Sequence, residues 1–279
     1  MHSEEESTFP TTFVDVGGYH LAAFCSGSGS PTVVLDAGMG DTSEVWYQVQ
    51  ENISQFSRVC SYDRAGIGQS ESGPLPRNSQ TIVNELHTLL KQAGLPSPYV
   101  LVGHSFGGFN ARLYASQYPD EVLGIVLIDS AHPDFDLVGQ LPPEEPGENQ
   151  GLHEIRAVLK QETQETKNPE GIDPVASAMQ VRSIPSLGTI PLVVVTHTSE
   201  TWIEMLMNGF PGFPRELAAK LDHAWQEGQQ CLLSLSSQST QMVAQHSGHY
   251  IHHDEPELVV QAIRNVIAMA QVDQDTIYG

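Results

Sequence analysis

The sequence has few basic residues. It contains 12 lysines and arginines against 34 aspartates and glutamates, which gives a formal net charge of -22 at pH 7. The acidic residues are spread along the chain, and no basic block interrupts them. A surface of this sign repels nucleic acid and anionic membranes, so we expect neither as a partner. We interpret the excess of acid as a source of solubility.

Long apolar runs and paired cysteine motifs are also absent. No stretch approaches the 18 consecutive apolar residues that suggest a membrane span, and the N-terminal MHSEEESTFP does not resemble a signal peptide. Cys25, Cys60 and Cys231 are far apart and outside any CxxC spacing. They are expected to be unpaired thiols of a reducing compartment, and no zinc site is implied. These absences predict a cytoplasmic protein.

Short β-rich runs alternate with longer amphipathic segments over most of the chain. Two runs, 12–16 and 20–24, flank Gly17-Gly18 and predict an antiparallel hairpin. Solid apolar runs between helices are typical of a parallel sheet that is covered on both faces. Six such runs follow, at 32–35, 58–62, 99–102, 124–128, 192–195 and 240–244.

The segments between these runs have apolar residues at helical spacing. They lie at 44–56, 78–93, 106–118 and 255–270. Alternation of this length predicts one α/β domain over 1–279 with a mostly parallel, doubly wound, eight-stranded sheet.

One segment interrupts the alternation. Between 132 and 190 the chain is rich in Pro, Glu, Gln and Asn, as in QLPPEEPGENQ, and has a short helical stretch at 153–164. Long insertions inside a compact domain are usually functional lids or loops without regular structure. We predict a mobile lid, with an inert surface insertion as the alternative.

A serine lies between two glycines where a predicted strand turns into a predicted helix. The stretch is VGHSFGG, 102–108, and its serine is Ser105. Gly103 and Gly107 leave room for a sharp turn that exposes the hydroxyl, and the following helix N-terminus supplies N–H groups suited to an oxyanion. Ser105 is therefore predicted to be a nucleophile. A tight turn that merely needs small residues is the alternative.

A serine hydroxyl needs a base that accepts its proton. The segment QHSGHYIHHD, 245–254, follows the last predicted strand and contains four histidines. Periodicity does not choose among them.

Five stretches resemble, in their order along the chain, the motifs of the α/β-hydrolase superfamily. They cover most of the chain apart from the insertion and the region between the last two strands. They are VVLDAGMG (33–40), YDRAGIGQS (62–70), VGHSFGG (102–108), IPLVVVTHTSE (190–200) and SGHYIHHDEPELVVQAI (247–263). The resemblance implies the α/β-hydrolase fold, with 132–190 as the cap or lid.

The resemblance also implies roles for individual residues. The family's histidine follows a small residue and precedes an apolar or aromatic one, which singles out His249 as the base. The oxyanion hole would combine the N–H groups of Phe106 and Met39. The family's usual His-Gly-x loop reads Ala37-Gly38-Met39 here, so the histidine and the hydrogen bonds that it normally provides are missing.

Two further residues, His104 and Arg64, are interpreted as structural. His104 is expected to be a structural neighbour of Ser105 rather than a second base. The turn at 63–70 is interpreted as architectural because its glycines permit a tight reversal, and an Arg64 that faces the pocket is the alternative.

Two carboxylates compete for the acid of the triad. Glu200 lies after the penultimate strand, where the family's commonest acid falls, but without the usual Gly-x-x-Asp pattern. Asp129 ends GIVLID, where other members of the superfamily place the acid. A residue that orients a catalytic base should stand on a rigid element. We therefore predict Asp129, with Glu200 as the alternative.

Together these residues predict a serine hydrolase, independent of any metal or other cofactor, that cleaves carboxylic esters with small or medium acyl chains through an acyl-enzyme. Its partner would be a small-molecule ester, and the protein would be a monomer or homodimer. Amide, lactone or carbon–carbon bond hydrolysis, acyl transfer and slow-turnover ligand reception are the alternatives. A haloalkane dehalogenase is disfavoured because that reaction uses a carboxylate nucleophile and position 105 is serine.

An apolar set beyond the penultimate strand has two interpretations. It would either line an acyl pocket or pack as the core of a helix. Its members are Trp202, Ile203, Met205, Leu206, Met207, Phe210 and Phe213.

Overall fold

The predicted sheet is confirmed in strand number and in direction. The computed structural model describes residues 9–162, 168–184 and 186–278, and within these ranges eight strands form one sheet in the order β1-β2-β4-β3-β5-β6-β7-β8. Strands β1 and β2 run antiparallel, and β3 to β8 run parallel to one another. The bounds lie within two residues of the predicted runs: β1 (Thr11–Asp15), β2 (His20–Ser26), β3 (Thr32–Asp36), β4 (Arg58–Tyr62), β5 (Tyr99–His104), β6 (Val122–Ile128), β7 (Leu192–His197) and β8 (Ser239–Ala244).

Helices cover both faces of the sheet. Four of them match the predicted helical segments, namely α1 (Tyr47–Ser54), α2 (Ser79–Gln92), α3 (Gly107–Gln117) and α10 (Pro256–Tyr278). The others are α4 (Leu137–Gln140), α5 (Gln150–Glu162), α6 (Pro174–Arg182), α7 (Ser199–Gly209), α8 (Arg215–Leu233) and α9 (Ile251–Asp254).

The core lies in two layers, one on each side of the sheet. Successive strand residues such as Val33 and Val34 belong to opposite layers, because side chains alternate across a strand. One layer packs against α2 and α3, and the other against α1 and α10. Both faces are apolar, which explains why the parallel strands are continuous apolar runs rather than alternating ones.

The described part of the insertion has regular structure. Helix α5 confirms the predicted stretch up to residue 162, and residues 163 and 164 lie outside the described residues. Leu152, Ile155 and Leu159 of α5 form a separate apolar cluster with Ile203 of α7 and Leu221 of α8. The segment therefore packs on helices that follow β7. Its role as a lid stays a prediction.

Two of the three cysteines are paired, so the expectation of unpaired thiols is wrong for Cys25 and Cys60. They lie directly opposite each other on the antiparallel neighbours β2 and β4 and form a disulfide. Sequence spacing does not reveal this pairing because it depends on which strands become neighbours. The expected reducing compartment loses its support, since disulfides persist in oxidising surroundings.

Cys231 is free and exposed. Among the residues that the structure describes, no helix has the length and apolar character needed to cross a membrane.

Candidate active site

Ser105 lies on a strained turn between β5 and α3. Its φ is 50°, in the left-handed region that a residue with a side chain rarely adopts. A Cβ on Gly103 would lie 2.5 Å from the Gly107 carbonyl oxygen, and one on Gly107 would lie 2.3 Å from the Asp36 carbonyl oxygen. These are backbone atoms that cannot easily move aside. Both glycines are therefore needed for the turn.

His249 follows β8 and contacts a buried carboxylate. Its Nδ1 lies 2.6 Å from Asp129 Oδ2, and its side chain is 30% exposed whereas that of Asp129 is fully buried. A carboxylate accepts hydrogen bonds, so Nδ1 carries the proton and Nε2 is left to accept one. Ser105 and His249 line the same cavity.

Asp129 also lies on a strained turn, directly after β6. Its φ is 40°, and its N–H donates to the Val195 carbonyl at 2.7 Å. Burial opposes ionisation of this carboxyl, but the charge of His197 and the hydrogen bonds from His197 and His249 hold the pKa of Asp129 below its usual range. Asp129 is therefore an anion at neutral pH.

Glu200 lies elsewhere. It occupies the first turn of α7, where its exposed carboxylate pairs with Arg215. Of the two carboxylates predicted to compete for the acid position, the structure brings Asp129 to His249 and places Glu200 at the surface.

The turn that carries Met39 is fixed by a buried ion network. Arg64 donates to the Ala37 carbonyl at 2.8 Å and to the Gly38 carbonyl at 2.5 Å, and it pairs with Asp36 and with Glu170 of the insertion. Glu170 in turn accepts from the Gly40 N–H at 2.8 Å. The network supplies hydrogen bonds to this turn in place of the family's missing histidine. Met39 itself lines the cavity, as does Phe106.

The turn at 63–70 is architectural, as interpreted from its glycines. Asp63 accepts from the N–H groups of Ser43 at 2.7 Å and Gln69 at 2.8 Å, and Arg64 is buried in its network rather than lining the cavity. The alternative of a pocket-facing Arg64 is wrong.

His104 confirms the expectation of a structural neighbour. Its Nε2 lies 2.9 Å from the His249 backbone carbonyl, and burial together with the nearby His249 and His252 rings holds the pKa of His104 well below its usual range. The neutral ring donates from Nε2 and thereby ties the loop of His249 to the end of β5.

A cavity of about 620 Å³ opens beside Ser105 and His249. Most of its lining is apolar and comes from the Ser105 turn, α3 and the insertion, namely Phe106, Phe109, Phe135, Leu137, Val138, Leu159, Val175, Ala178 and Met179. The apolar set of 202–213 does not line it. These residues largely pack against α5 and α8, so the acyl-pocket interpretation is wrong and the helix-core interpretation is confirmed.

Helix α8 contributes residues that the sequence analysis missed. Asp222, Trp225, Gln226 and Gln229 have the spacing of one helix face and contact His197, Asp129, the His197 carbonyl and the Ser130 carbonyl. Because the inward face of α8 is polar here, the sequence lacks the apolar periodicity that usually predicts a buried helix. The signal that was available is the helical spacing of these polar residues near a histidine that ends a strand.

One group of side chains away from the cavity has metal-ligand chemistry. Ligand atoms of Glu144, Glu148 and His153 lie within 4.8 Å of one another. Glu144 is already paired with Lys160 at 2.6 Å, and Glu148 with Arg156 at 3.0 Å. Because protein cations neutralise both carboxylates, we assign no metal to this cluster.

Known proteins resemble this chain in sequence and in fold. A family model for the alpha/beta hydrolase fold matches residues 31–154. The chain is 32% identical over 243 residues to the uncharacterized protein YqjL of Bacillus subtilis, a match that covers 86% of this chain and 85% of that protein. The chain therefore belongs to the α/β-hydrolase superfamily, as its motifs predict.

Solved structures agree in fold. A thermophilic esterase from Thermogutta terrifontis has a TM-score of 0.63 at 21% identity, covering 94% of this chain and 99% of that one. A loop variant of the haloalkane dehalogenase DbeA from Bradyrhizobium elkanii has a TM-score of 0.66 at 15% identity, covering 96% and 99%. At these identities the likeness concerns the fold alone.

Proposed function

We propose that this protein is a serine hydrolase that cleaves carboxylic esters with small or medium acyl chains. The observation that carries the proposal is the 2.6 Å contact between His249 and the buried Asp129, together with a strained Ser105 on the cavity that His249 also lines. This arrangement provides a nucleophile, a base with a fixed tautomer and an anion that orients the base.

The reaction would proceed through an acyl-enzyme. His249 Nε2 accepts the proton of Ser105 while Oγ attacks the ester carbonyl carbon, and the N–H groups of Met39 and Phe106 stabilise the oxyanion. His249 then gives the proton to the departing alcohol. In the second half, His249 deprotonates a water molecule that attacks the acyl carbon and releases Ser105.

The cavity supports the substrate class. Its volume of about 620 Å³ and its mainly apolar wall suit an acyl chain of modest length. We propose that the segment 132–190 acts as a cap that selects this chain, because many of the apolar wall residues belong to it. A serine at 105 favours ester cleavage over the carboxylate chemistry of a dehalogenase.

The test is hydrolysis of p-nitrophenyl esters of increasing acyl length by the wild type and by Ser105→Ala. We expect an optimum at short or medium chains, and a fall in kcat of at least about 10⁴-fold in the variant. Ser234→Ala, which changes an exposed serine on the surface, is the matched control and should retain full activity.

Unchanged activity in Ser105→Ala would overturn the assignment. Absence of turnover in the wild type, together with labelling of Ser105 by a serine-reactive fluorophosphonate, would retain the nucleophile and reject the ester. The amide and lactone series would then be measured.

A further inference from the structure

The carboxylate that contacts His249 uses both of its oxygens. Asp129 Oδ2 lies 2.6 Å from His249 Nδ1, whereas Oδ1 lies 2.9 Å from His197 Nδ1 and accepts from Trp225 Nε1 at 3.0 Å. The partners of Oδ1 orient the carboxylate so that Oδ2 faces His249. Trp225 also lines the cavity, whereas His197 lies behind Asp129, outside the cavity lining.

His197 lies between two carboxylates. Its Nε2 is 2.8 Å from Asp222 Oδ1, and the side chains of His197, Asp129 and Asp222 are 0 to 4% exposed. A carboxylate accepts and does not donate, so each ring nitrogen that faces one must carry a proton. Only the imidazolium has protons on both nitrogens. With both carboxyls ionised, the geometry therefore suits a buried cation between two anions.

The groups around His197 support the charged form. Trp202 of α7 stacks on the ring, with centroids 5.7 Å apart, and Gln226 of α8 donates to the backbone carbonyl of His197 at 3.0 Å. Burial opposes the charge, but the attraction and hydrogen bonds of Asp129 and Asp222 outweigh it and raise the pKa of His197 to about 9.

We propose that His197 and Asp222 are a positioning pair for the acid of the triad: the His197 cation orients Asp129 and keeps it ionised, and Asp222 fixes the ring of His197 and balances its charge. The inference rests on the proposed function, in which Asp129 orients His249. It adds two residues that do not touch substrate and that act through Asp129.

Charge balance gives the pair a measurable consequence. Two carboxylates and one imidazolium carry one net negative charge, which compensates the positive charge that His249 acquires when it takes the proton of Ser105. In Asp222→Asn the ion pair with Asp129 still keeps His197 charged, so the site loses its net negative charge and stabilises the protonated His249 less. Adding His197→Gln removes the cation as well and restores one net negative charge.

The first experiment measures protonation directly and needs no substrate. Long-range proton–nitrogen NMR of the imidazole rings is recorded on the wild-type protein and on Ser105→Ala between pH 7 and pH 10. We expect both nitrogens of His197 to carry protons until the pH approaches about 9. A His197 with a single protonated nitrogen at pH 7 would overturn the proposal.

The second experiment measures the acid limb of the kcat/KM profile, which reports the base in the free enzyme. Asp222→Asn should move this limb to lower pH by roughly one unit, and the double variant His197→Gln/Asp222→Asn should return it close to the wild-type position. If His197 and Asp222 are only structural, the variants should have lower melting temperatures but the same acid limb as the wild type. His223→Gln, an exposed histidine beside Asp222 on α8, is the control and should leave the limb in place.

The outcomes separate the two proposals. If the wild type does not hydrolyse esters, the proposed function fails, and the same shifts are then read from the NMR titration of the His249 ring. If esters are hydrolysed and the four limbs coincide, the positioning pair fails while the proposed function stands.

Discussion

Two neighbouring turns at one edge of the sheet reach the same strained conformation by different means. Ser105 after β5 and Asp129 after β6 both have positive φ angles, of 50° and 40°. The first turn is enforced by its own sequence, because Gly103 and Gly107 leave space that no other residue fits. The second has no glycine beside it and is stabilised by His197 and Trp225, which lie 68 and 96 residues further along the chain.

The difference lies in where the compensating interactions come from. A left-handed residue with a side chain costs on the order of 1–2 kcal/mol, which the surroundings must offset. At Ser105 the carbonyl accepts from the N–H groups of Gly108 and Ala131 at 3.1 Å. At 129–130 the carboxylate and the Ser130 carbonyl bind side chains of β7 and α8, including Gln229 at 2.7 Å. The first turn needs glycines of its own motif in addition to backbone hydrogen bonds, whereas the second depends on side chains of distant elements.

The largest expected effect comes from breaking the second turn at its carboxylate. Asp129→Asn keeps the shape of the side chain, but its amide can donate to His249 and favour the wrong tautomer, so kcat/KM for an ester should fall by about 10⁴-fold. Glu200→Gln removes the same charge at the surface and should change kcat/KM by less than about threefold. Steady-state kinetics of the two variants decide the matter, and a crippled Glu200→Gln with an active Asp129→Asn would reverse the assignment of the acid.

The same contrast explains how much could be predicted from the sequence. Local signals mark the strands, the serine turn and the region of the proposed base: they are apolar runs, glycines at fixed offsets and a histidine after the last strand. The choice of His249 needed a family resemblance because four histidines share its segment. Asp129 could be named as a candidate because the family resemblance points to the end of this strand, but its partners could not be named.

The features that were missed or mistaken depend on contacts between distant elements. Cys25 and Cys60 pair only because β2 and β4 become neighbours. The Arg64 network reaches Glu170, 106 residues away, and the inward face of α8 is polar because its partners are His197 and Asp129. No periodicity encodes such partners, so the second turn could be located from the sequence but not explained.

A smaller effect is expected from breaking the first turn at its glycine. The Cβ of Gly107→Ala would lie 2.3 Å from the Asp36 carbonyl and 2.7 Å from the Ala37 carbonyl, so α3 and the turn of Met39 must separate. A shift of this size at the proposed oxyanion hole should lower kcat/KM by roughly 10²-fold and lower the melting temperature.

Gly209→Ala is the matched control for this substitution. A Cβ at that position, the last residue of α7, meets no atom within 4 Å, so melting temperature and kcat/KM should be retained or slightly raised. Equal behaviour of the two variants would show that Gly107 is dispensable and that the first turn does not depend on its glycines.

The smallest expected effect is a change in the stability of the wild-type protein with pH, which concerns the second turn and not the first. The pKa of His197 is raised to about 9, so its contribution to stability is fully present below about pH 6.5 and is lost as the pH rises through 9. The loss is on the order of 3 kcal/mol, and the melting temperature of the wild type should fall by roughly 5–10 °C between pH 6.5 and pH 9.5.

Between pH 6.5 and pH 9.5, the change in stability is expected to come from His197, which holds the second turn. The lowered pKa values of His104 and His252 affect stability only below about pH 6.5, where stability falls as the pH decreases. The pKa values of Tyr19 and Tyr99 are raised to about 12, so these residues affect stability only above pH 10. The double variant His197→Gln/Asp222→Asn should therefore melt at a temperature that changes less over the window. An equal slope in both proteins would mean that His197 is not the group that titrates, and the second turn would then owe its stability to Trp225 and Gln229 instead of to a buried cation.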